Sequence, residues 1–123
     1  MQERREDIAA VRAVMDDYVK GSSGDVELLR SIFHPNALMN GYFKGNLGIG
    51  SPEPFFEIVA AMEPGTKNPD YHAEIESIDV IGEIATAKLV EVGFLGTNFI
   101  DVFHLIRVDG AWKIISKTYH QAD

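Results

Sequence analysis

The segment NFIDVFHL, residues 98–105, places ionisable groups inside a run of apolar residues. Side chains alternate between the two faces of a strand, so Asp101 shares a face with Phe99 and Phe103. His104 lies on the other face. A carboxyl group among aromatic rings is costly to bury unless a cation pairs with it or a proton neutralises it. Asp101 is therefore the first candidate for chemistry; a solvated position, or a pair with a basic side chain, is the alternative.

Two further side chains could work with this acid. In the segment 84–95, Thr86 and Lys88 alternate with apolar residues, and this alternation turns Glu91 inward. Glu91 could act as a general base if it lies within about 3 Å of the proton that it removes. A carboxylate at the rim of a pocket or in a salt bridge is the alternative. Tyr18 ends the apolar stripe of the first helix, either as a core tyrosine or as a hydrogen-bond donor to a ligand.

Metal and covalent chemistry find little support in the chain. The four histidines, at positions 34, 72, 104 and 120, have no short HxH or HxxxH spacing, and there are no cysteines. Zinc sites usually need three or four such ligands. The sequence also lacks a phosphate-binding GxxxxGK[ST] loop and a GxSxG nucleophile motif. We therefore predict no metal and no organic cofactor.

The elements that position these residues follow from two hydrophobic periods. Apolar residues three or four apart predict helices over residues 8–19, 26–33 and 52–62, with Gly21, Pro35 and Pro64-Gly65 as their stops. Ser51 is the predicted N-cap of the third helix. The glycine-rich segment 36–50 predicts one or two short strands. Four β-rich segments separated by tight turns predict an antiparallel meander, listed here as 71–81, 84–95, 97–108 and 111–120.

This order predicts an α+β domain with three helices on one face of a curved, mostly antiparallel sheet, filling residues 1–123. In the last strand we place Trp112, Ile114, Ser116 and Thr118 inward and the lysines Lys113 and Lys117 outward. Both faces of the strand 97–108 are apolar, so the outer face needs a cover. A second copy of the chain is the simplest cover, and we predict a homodimer packed through the sheet.

Composition narrows the class of partner. The chain carries 19 acidic against 11 basic residues, a formal net charge of −8, which argues against nucleic-acid and anionic-membrane binding. The charged start MQERREDIAA is unlike a secretory signal, and no apolar run approaches the about 20 residues of a membrane span. We predict a cytoplasmic protein.

The chain resembles the nuclear transport factor 2-like superfamily, which includes ketosteroid isomerases, SnoaL-like polyketide cyclases and a putative lumazine-binding subfamily. The resemblance covers nearly the whole chain and rests on the order of four segments, YVKGSSGD, FHPNA, IDVFHLIRVDG and WKIISKTYH. The second and fourth segments look most like the lumazine-binding subfamily. Members of the superfamily are cone-shaped rolls with a pocket open at one end.

Ketosteroid isomerases use a helix-1 tyrosine and a strand aspartic acid as an oxyanion hole, and a third carboxylate moves the proton. Tyr18 and Asp101 match the first two. The place of the third falls at or beside Gly41, so the resemblance argues against ketosteroid isomerase activity. It implies instead a small-molecule pocket for a flat, apolar or aromatic ligand that meets Tyr18 and Asp101. Met39, Phe55, Glu91 and Phe103 are the predicted lining residues.

Two functions stay open at this point. The first is ligand binding, with isomerase, cyclase or dehydratase chemistry by proton transfer as its catalytic form. The second is a dimeric interaction or accessory module whose cone is filled by side chains. A cavity of a few hundred Å³ would favour the first function and a filled cone the second. The sequence names neither the ligand nor the pathway.

Overall fold

The computed structural model describes residues 2–62 and 70–122. The elements, in chain order, are α1 (Gln2–Ser22), α2 (Val26–Ser31), β1 (Phe33–Phe43), β2 (Asn46–Gly50), α3 (Glu53–Ala60), β3 (His72–Ile81), β4 (Ile84–Phe94), β5 (Thr97–Val108) and β6 (Ala111–Gln121). One sheet has the order β2-β1-β6-β5-β4-β3. Only the β1–β6 pair is parallel among these described strands. The α+β class, the three helices and the four-stranded meander are thereby confirmed.

The first two helices form a hairpin that packs on the sheet. Apolar residues of α1, among them Val11, Met15 and Tyr18, are fully buried. Gly21 lies one residue inside α1 and is not its stop; a Cβ there would lie 3.0 Å from the Cβ of Leu29, so this glycine lets α2 approach closely. The turn comes at Gly24, whose φ of 131° suits glycine.

The third helix starts slightly later than predicted. Pro52 occupies the N-cap position, while the Ser51 hydroxyl accepts a hydrogen bond of 3.3 Å from the Glu53 amide. Phe55 and Phe56 are buried against the core. The predicted stop at Pro64-Gly65 lies outside the described residues. No helix in the described part of the chain is long and apolar enough to cross a membrane.

The FHPNA segment is strand and not the end of a helix, which corrects the prediction for Phe33 and Pro35. β1 starts at Phe33, and its parallel register with β6 is interrupted between Phe33 and Leu38. Proline lacks an amide hydrogen and is found where ladder pairing is broken. This irregular start still leaves the phenylalanine ring in the core, as its apolar character requires.

A bulge in β6 overturns the predicted facing of its second half. His104 pairs with Ser116 and Leu105 pairs with Ile114, so Ile115 is an extra residue on β6. The extra residue reverses the alternation after Ile114. Lys117 is consequently buried, whereas Ser116 and Thr118 leave the core face that we predicted for them.

Gly41 of β1 lies directly beside Tyr119 of β6. The two residues are register partners, and a Cβ on Gly41 would lie 2.5 Å from the Tyr119 carbonyl oxygen and 2.6 Å from its ring. Only a residue without a side chain allows this approach. The position that would hold a third carboxylate by family resemblance is therefore occupied by a tyrosine ring from the neighbouring strand.

We predict that Gly41→Ala destabilises the fold by about 1–3 kcal/mol, because the methyl group must displace backbone or ring atoms. Urea unfolding measures the change. Gly48→Ala is the control, since its Cβ would meet the Tyr119 hydroxyl at 3.6 Å and the Gly41 carbonyl oxygen at 3.9 Å, which are ordinary contact distances. The control should shift stability by about 0.5 kcal/mol or less. Equal stability of the two variants would contradict the close packing at Gly41.

The outer face of the sheet carries apolar side chains in contact with solvent, among them Leu38, Tyr42, Ile84, Val92 and Val102. The homodimer through this face stays a prediction.

We expect Val102→Glu to weaken self-association, because the new charge would lie in the centre of the interface without a partner. Sedimentation velocity of the parent and the variant measures this. Ala13→Glu, on the exposed side of α1, is the control, and a parent that is monomeric at tens of micromolar would refute the interface.

Candidate active site

A cavity of about 470 Å³ opens between α3, the β1–β2 hairpin and the β4–β5 turn. Its wall is mostly apolar and aromatic, with Met39, Phe43, Ile49, Pro54, Phe55, Ile58, Phe94, Leu95, Phe99 and Tyr119 among the lining residues. Three acidic or basic side chains join them: Lys44, Glu91 and Lys117. An apolar hollow with a few polar groups is the usual form of a small-molecule site.

The predicted site residues divide into two layers. Met39, Phe55 and Glu91 line the cavity itself. Tyr18, Asp101 and Phe103 are fully buried and lie behind the wall, where the phenol and the phenylalanine ring meet edge to face at 4.8 Å. Asp101 is buried and not solvated, and Glu91 points inward as predicted, while the roles of all six residues stay predictions.

Lys117 joins the two layers, and we had placed it on the wrong face. Its ammonium group donates a hydrogen bond of 2.5 Å to the Tyr18 hydroxyl and lies 3.8 Å from Asp101 Oδ2. The lysine therefore lies between Asp101 and Tyr18, and neither oxygen of Asp101 is hydrogen-bonded to the phenol. Of the alternatives for Asp101, pairing with a lysine is the one found; Arg107 instead binds Asp7, at 2.9 Å.

Aromatic rings surround the buried ammonium group. Its Nζ lies 4.6 Å from the ring centre of Phe55, 5.1 Å from that of Tyr18 and 5.6 Å from that of Tyr119. Lys117 is only 4% exposed. A cation with so little water needs other stabilisation, and ring faces within about 6 Å provide part of it.

Asp101 is a fully buried carboxyl group with unused hydrogen-bonding capacity. Neither of its oxygens has a hydrogen-bond partner within the described residues. Burial raises the pKa of Asp101 well above its ordinary value; Lys117 acts in the opposite direction, and the neighbouring Glu91 carboxyl adds to the rise. The protonated form of Asp101 is thereby favoured, as the surrounding rings require.

Glu91 has a partner that the sequence did not suggest. The Tyr71 hydroxyl donates a hydrogen bond of 2.6 Å to Glu91 Oε2. Burial raises the pKa of Tyr71, and the Glu91 carboxyl raises it further, so the phenol stays a proton donor. Burial also raises the pKa of Tyr18, with Glu91 and Asp101 as the next causes. Both phenols therefore keep their protons around neutral pH.

Strand register explains why these groups meet. On β4 and β5, Leu89 pairs with Asp101 and Glu91 pairs with Phe99, so the two carboxyl groups are diagonal neighbours on one face. On β6, Tyr119 pairs with Asp101. Lys117 lies two residues before Tyr119 on the same strand and pairs with Phe103. The two acids and the lysine thus lie on adjacent strands at the inner end of the cavity.

Sequence reasoning missed Lys117 and Tyr71 for different reasons. The direction of Lys117 depends on the bulge at Ile115, and a single extra residue in a strand leaves no mark in the alternation of residue types. Tyr71 begins the predicted segment 71–81 and lies one residue before β3, and alternation along the chain does not show that its hydroxyl reaches Glu91 on the next strand. The family segment WKIISKTYH contains the lysine, and this was the one available signal.

The arrangement can hold a ligand oxygen and move a proton. Its inner end presents the Lys117 ammonium group as a donor and the Glu91 carboxyl group as an acceptor, within an apolar hollow. In the described part of the chain, no three histidine, aspartate or glutamate side chains are grouped so that they could hold a metal ion. The groups that can bind a ligand oxygen and accept a proton are therefore the side chains of Lys117 and Glu91.

Comparison with known proteins agrees with this architecture. The chain is 27% identical over 117 residues to the aldolase FrzH from Cladobotryum sp., covering 92% of this chain and 86% of that protein. An NTF2-like protein of unknown function from Shewanella baltica OS155 superposes with a TM-score of 0.87 at 27% identity, covering 96% of this chain and 95% of that one.

An NTF2-like protein of unknown function from Silicibacter pomeroyi DSS-3 has a TM-score of 0.86 at 28% identity, with 96% of this chain and 98% of that one covered. The family model described as putative lumazine-binding matches residues 6–120. The chain therefore belongs to the putative lumazine-binding family of NTF2-like proteins.

Proposed function

We propose that the cavity binds a flat, largely apolar small molecule through a carbonyl group that meets the ammonium group of Lys117. The observation that carries this proposal is the buried Lys117–Tyr18–Asp101 cluster at the inner end of an apolar cavity. Burying three ionisable side chains costs stability, and such clusters occur mainly where they serve a ligand or a reaction. A volume of about 470 Å³ supports a ligand site over the alternative of an interaction module with a filled cone.

The shape of the ligand follows from the aromatic wall. Phe43 and Phe99 stack at 6.0 Å with an angle of 22° between their planes, and Phe55 contacts Phe94 at 5.9 Å. Flat faces of this kind pack well against a flat ring. A molecule with one carbonyl on a fused or conjugated ring system fits the wall and the polar end together.

The chemistry that we propose is proton transfer at the carbon next to the carbonyl. Glu91, on the cavity wall, removes the proton, and the Lys117 ammonium stabilises the enolate oxygen that forms. Asp101 keeps its proton and leaves the ammonium charge available to the ligand. Isomerisation, cyclisation, dehydration and aldol addition can each pass through such an enolate, and the relative FrzH is named an aldolase.

We predict that the protein speeds deuterium uptake from D₂O by 2-tetralone, a flat bicyclic ketone with exchangeable protons beside its carbonyl. Proton NMR measures the exchange. Glu91→Gln preserves the side-chain shape and should slow the exchange by about 10²-fold or more, because a positioned base contributes that much. Glu57→Gln, on the exposed side of α3, is the control and should match the parent.

Saturation-transfer NMR on the same samples reports binding separately from turnover. Binding without faster exchange would leave a binding protein and refute the proton transfer. No binding of the ketone would refute the proposed function as a whole. Exchange that is equally fast in Glu91→Gln would assign the base to another group.

The pH dependence of the free energy of unfolding tests the protonation state of Asp101. Because its pKa is raised in the folded state from a reference of 3.8, the folded state holds the proton more tightly than the unfolded state. The parent therefore loses stability from this group as pH rises above about 4, with a slope of at most about 1.4 kcal/mol per pH unit. Asp101→Asn lacks this loss.

We predict that the free energy of unfolding of Asp101→Asn, minus that of the parent, increases as pH rises from 4 to 7. Urea unfolding at each pH measures the difference, and Asp109→Asn in the exposed β5–β6 turn is the control. A difference that stays constant or decreases with pH would mean that Asp101 is ionised in the folded protein.

A further inference from the structure

The cavity contains the primary amine of Lys117. In the proposed proton transfer, only the positive charge of its ammonium form takes part, and the nitrogen forms no bond to the ligand. We propose that Lys117 forms a reversible covalent iminium with aldehydes and ketones that enter the cavity. This inference rests on the proposed function, since it needs a carbonyl compound at the inner end of the cavity. It assigns a nucleophilic role to a residue that we had placed on the outer face of the sheet.

Position distinguishes Lys117 from the second lysine of the cavity wall. Lys117 is 4% exposed and lies at the inner end, against Phe55. Lys44 lies in the exposed turn between β1 and β2, with its Nζ 5.3 Å from the ring centre of Phe43. A ligand held by the aromatic wall with its carbonyl inward meets the first amine and not the second.

Asp101 is placed to relay the protons that the reaction moves. Its Oδ2 lies 3.8 Å from Lys117 Nζ, and neither oxygen has a hydrogen-bond partner within the described residues. Such a carboxyl group can give a proton to the carbonyl oxygen and take one from the nitrogen, and so return to its starting state. Proton relay would therefore give both Asp101 oxygens hydrogen-bonding roles that they do not have in the structure without a ligand.

The atoms balance without an added reactant. One N–H bond of the ammonium group breaks, and its electron pair forms the bond from Nζ to the carbonyl carbon. Asp101 takes that proton and gives its own to the carbonyl oxygen, which becomes the hydroxyl of a carbinolamine. The C–O bond then breaks, and two of the three ammonium hydrogens leave with that oxygen as water, which gives R₂C=NH⁺–Lys117. The process oxidises and reduces nothing, and hydrolysis reverses it.

The surroundings of the amine suit the adduct as well as they suit the resting lysine. The iminium carries the same single positive charge as the ammonium, so the ring faces of Phe55, Tyr18 and Tyr119 stabilise both. Glu91 remains on the cavity wall as the acceptor for the proton beside the iminium carbon. The iminium withdraws electrons from that carbon more strongly than a hydrogen-bonded carbonyl does, and proton removal is easier.

The substrate class follows from the geometry. The carbonyl must be unhindered, as in an aldehyde or a ketone, because Nζ approaches within a crowded group of rings. Esters and amides are excluded by the same chemistry, since their carbonyl carbons do not give stable iminium ions. We expect flat aromatic or conjugated aldehydes and ketones of a size that about 470 Å³ can hold.

Trapping tests the adduct directly on the parent protein. The protein is incubated with 2-tetralone and sodium cyanoborohydride at neutral pH, and peptide mass mapping locates the reduced adduct. We expect modification at Lys117 ahead of every exposed lysine, with Lys44 as the comparison within the same cavity. Modification of exposed lysines with Lys117 untouched would overturn the inference.

Oxygen exchange tests the same step without a reductant. Iminium formation replaces the carbonyl oxygen with solvent oxygen, whereas enolisation through a hydrogen bond retains it. We expect the parent to release ¹⁸O from labelled 2-tetralone, Lys117→Arg to lose this release, and Asp101→Asn to slow it by about 10²-fold. Circular dichroism checks that both variants are folded, and the trapping result stands without them.

The two proposals fail in different ways. Deuterium uptake by 2-tetralone with retention of its ¹⁸O label in the parent protein would overturn the iminium and leave the proposed function intact. Absence of binding, uptake and release together would overturn both. Uptake accompanied by release, with the adduct mapped to Lys117, supports both.

Discussion

The placement of one ammonium group inside the protein governs the rest of the site. Lys117 Nζ is held among three ring faces, a phenol oxygen and a carboxyl group. A buried cation of this kind is tolerable only when each neighbour contributes, because the loss of hydration is large. The need to stabilise this charge explains the residue types of Tyr18 on α1, Phe55 on α3 and Asp101 on β5, which surround it.

The shell also explains how two carboxyl groups can share one small apolar space. One cation cannot neutralise two anions, so one of the acids has to keep its proton. Burial raises the pKa of Asp101, which lies behind the cavity wall, and Glu91 lies on the wall and accepts a hydrogen bond from Tyr71. The cavity therefore has a carboxylic acid, Asp101, behind its wall and a hydrogen-bond acceptor, Glu91, on its wall.

Family membership and site chemistry separate at Gly41. The fold matches an NTF2-like protein over 96% of the chain, yet the place that the resemblance gives to a third carboxylate is taken by the ring of Tyr119, against which Gly41 lies. Glu91 supplies a carboxylate from β4, on the far side of β5. A shared fold therefore positions a pocket without fixing which strands place carboxyl groups beside it.

The sequence by itself determined the class of the fold, the four strands of the meander and the inward direction of Glu91, whereas it left the face of Asp101 open because both faces of its strand are apolar. These features depend on local periodicity and on turn residues, which are written directly in the order of the chain. The homodimer and the catalytic roles stay predictions, since neither follows from a pattern within one chain.

The tertiary structure alone decided which groups meet at the site. A single bulge at Ile115 turned Lys117 from the solvent face to the core, and the contact of Tyr71 with Glu91 joins the start of β3 to β4. Strand alternation has a period of two, so one inserted residue reverses every position after it while leaving the composition unchanged. Such a shift is set by pairing with β5, and it becomes visible only when the strands are side by side.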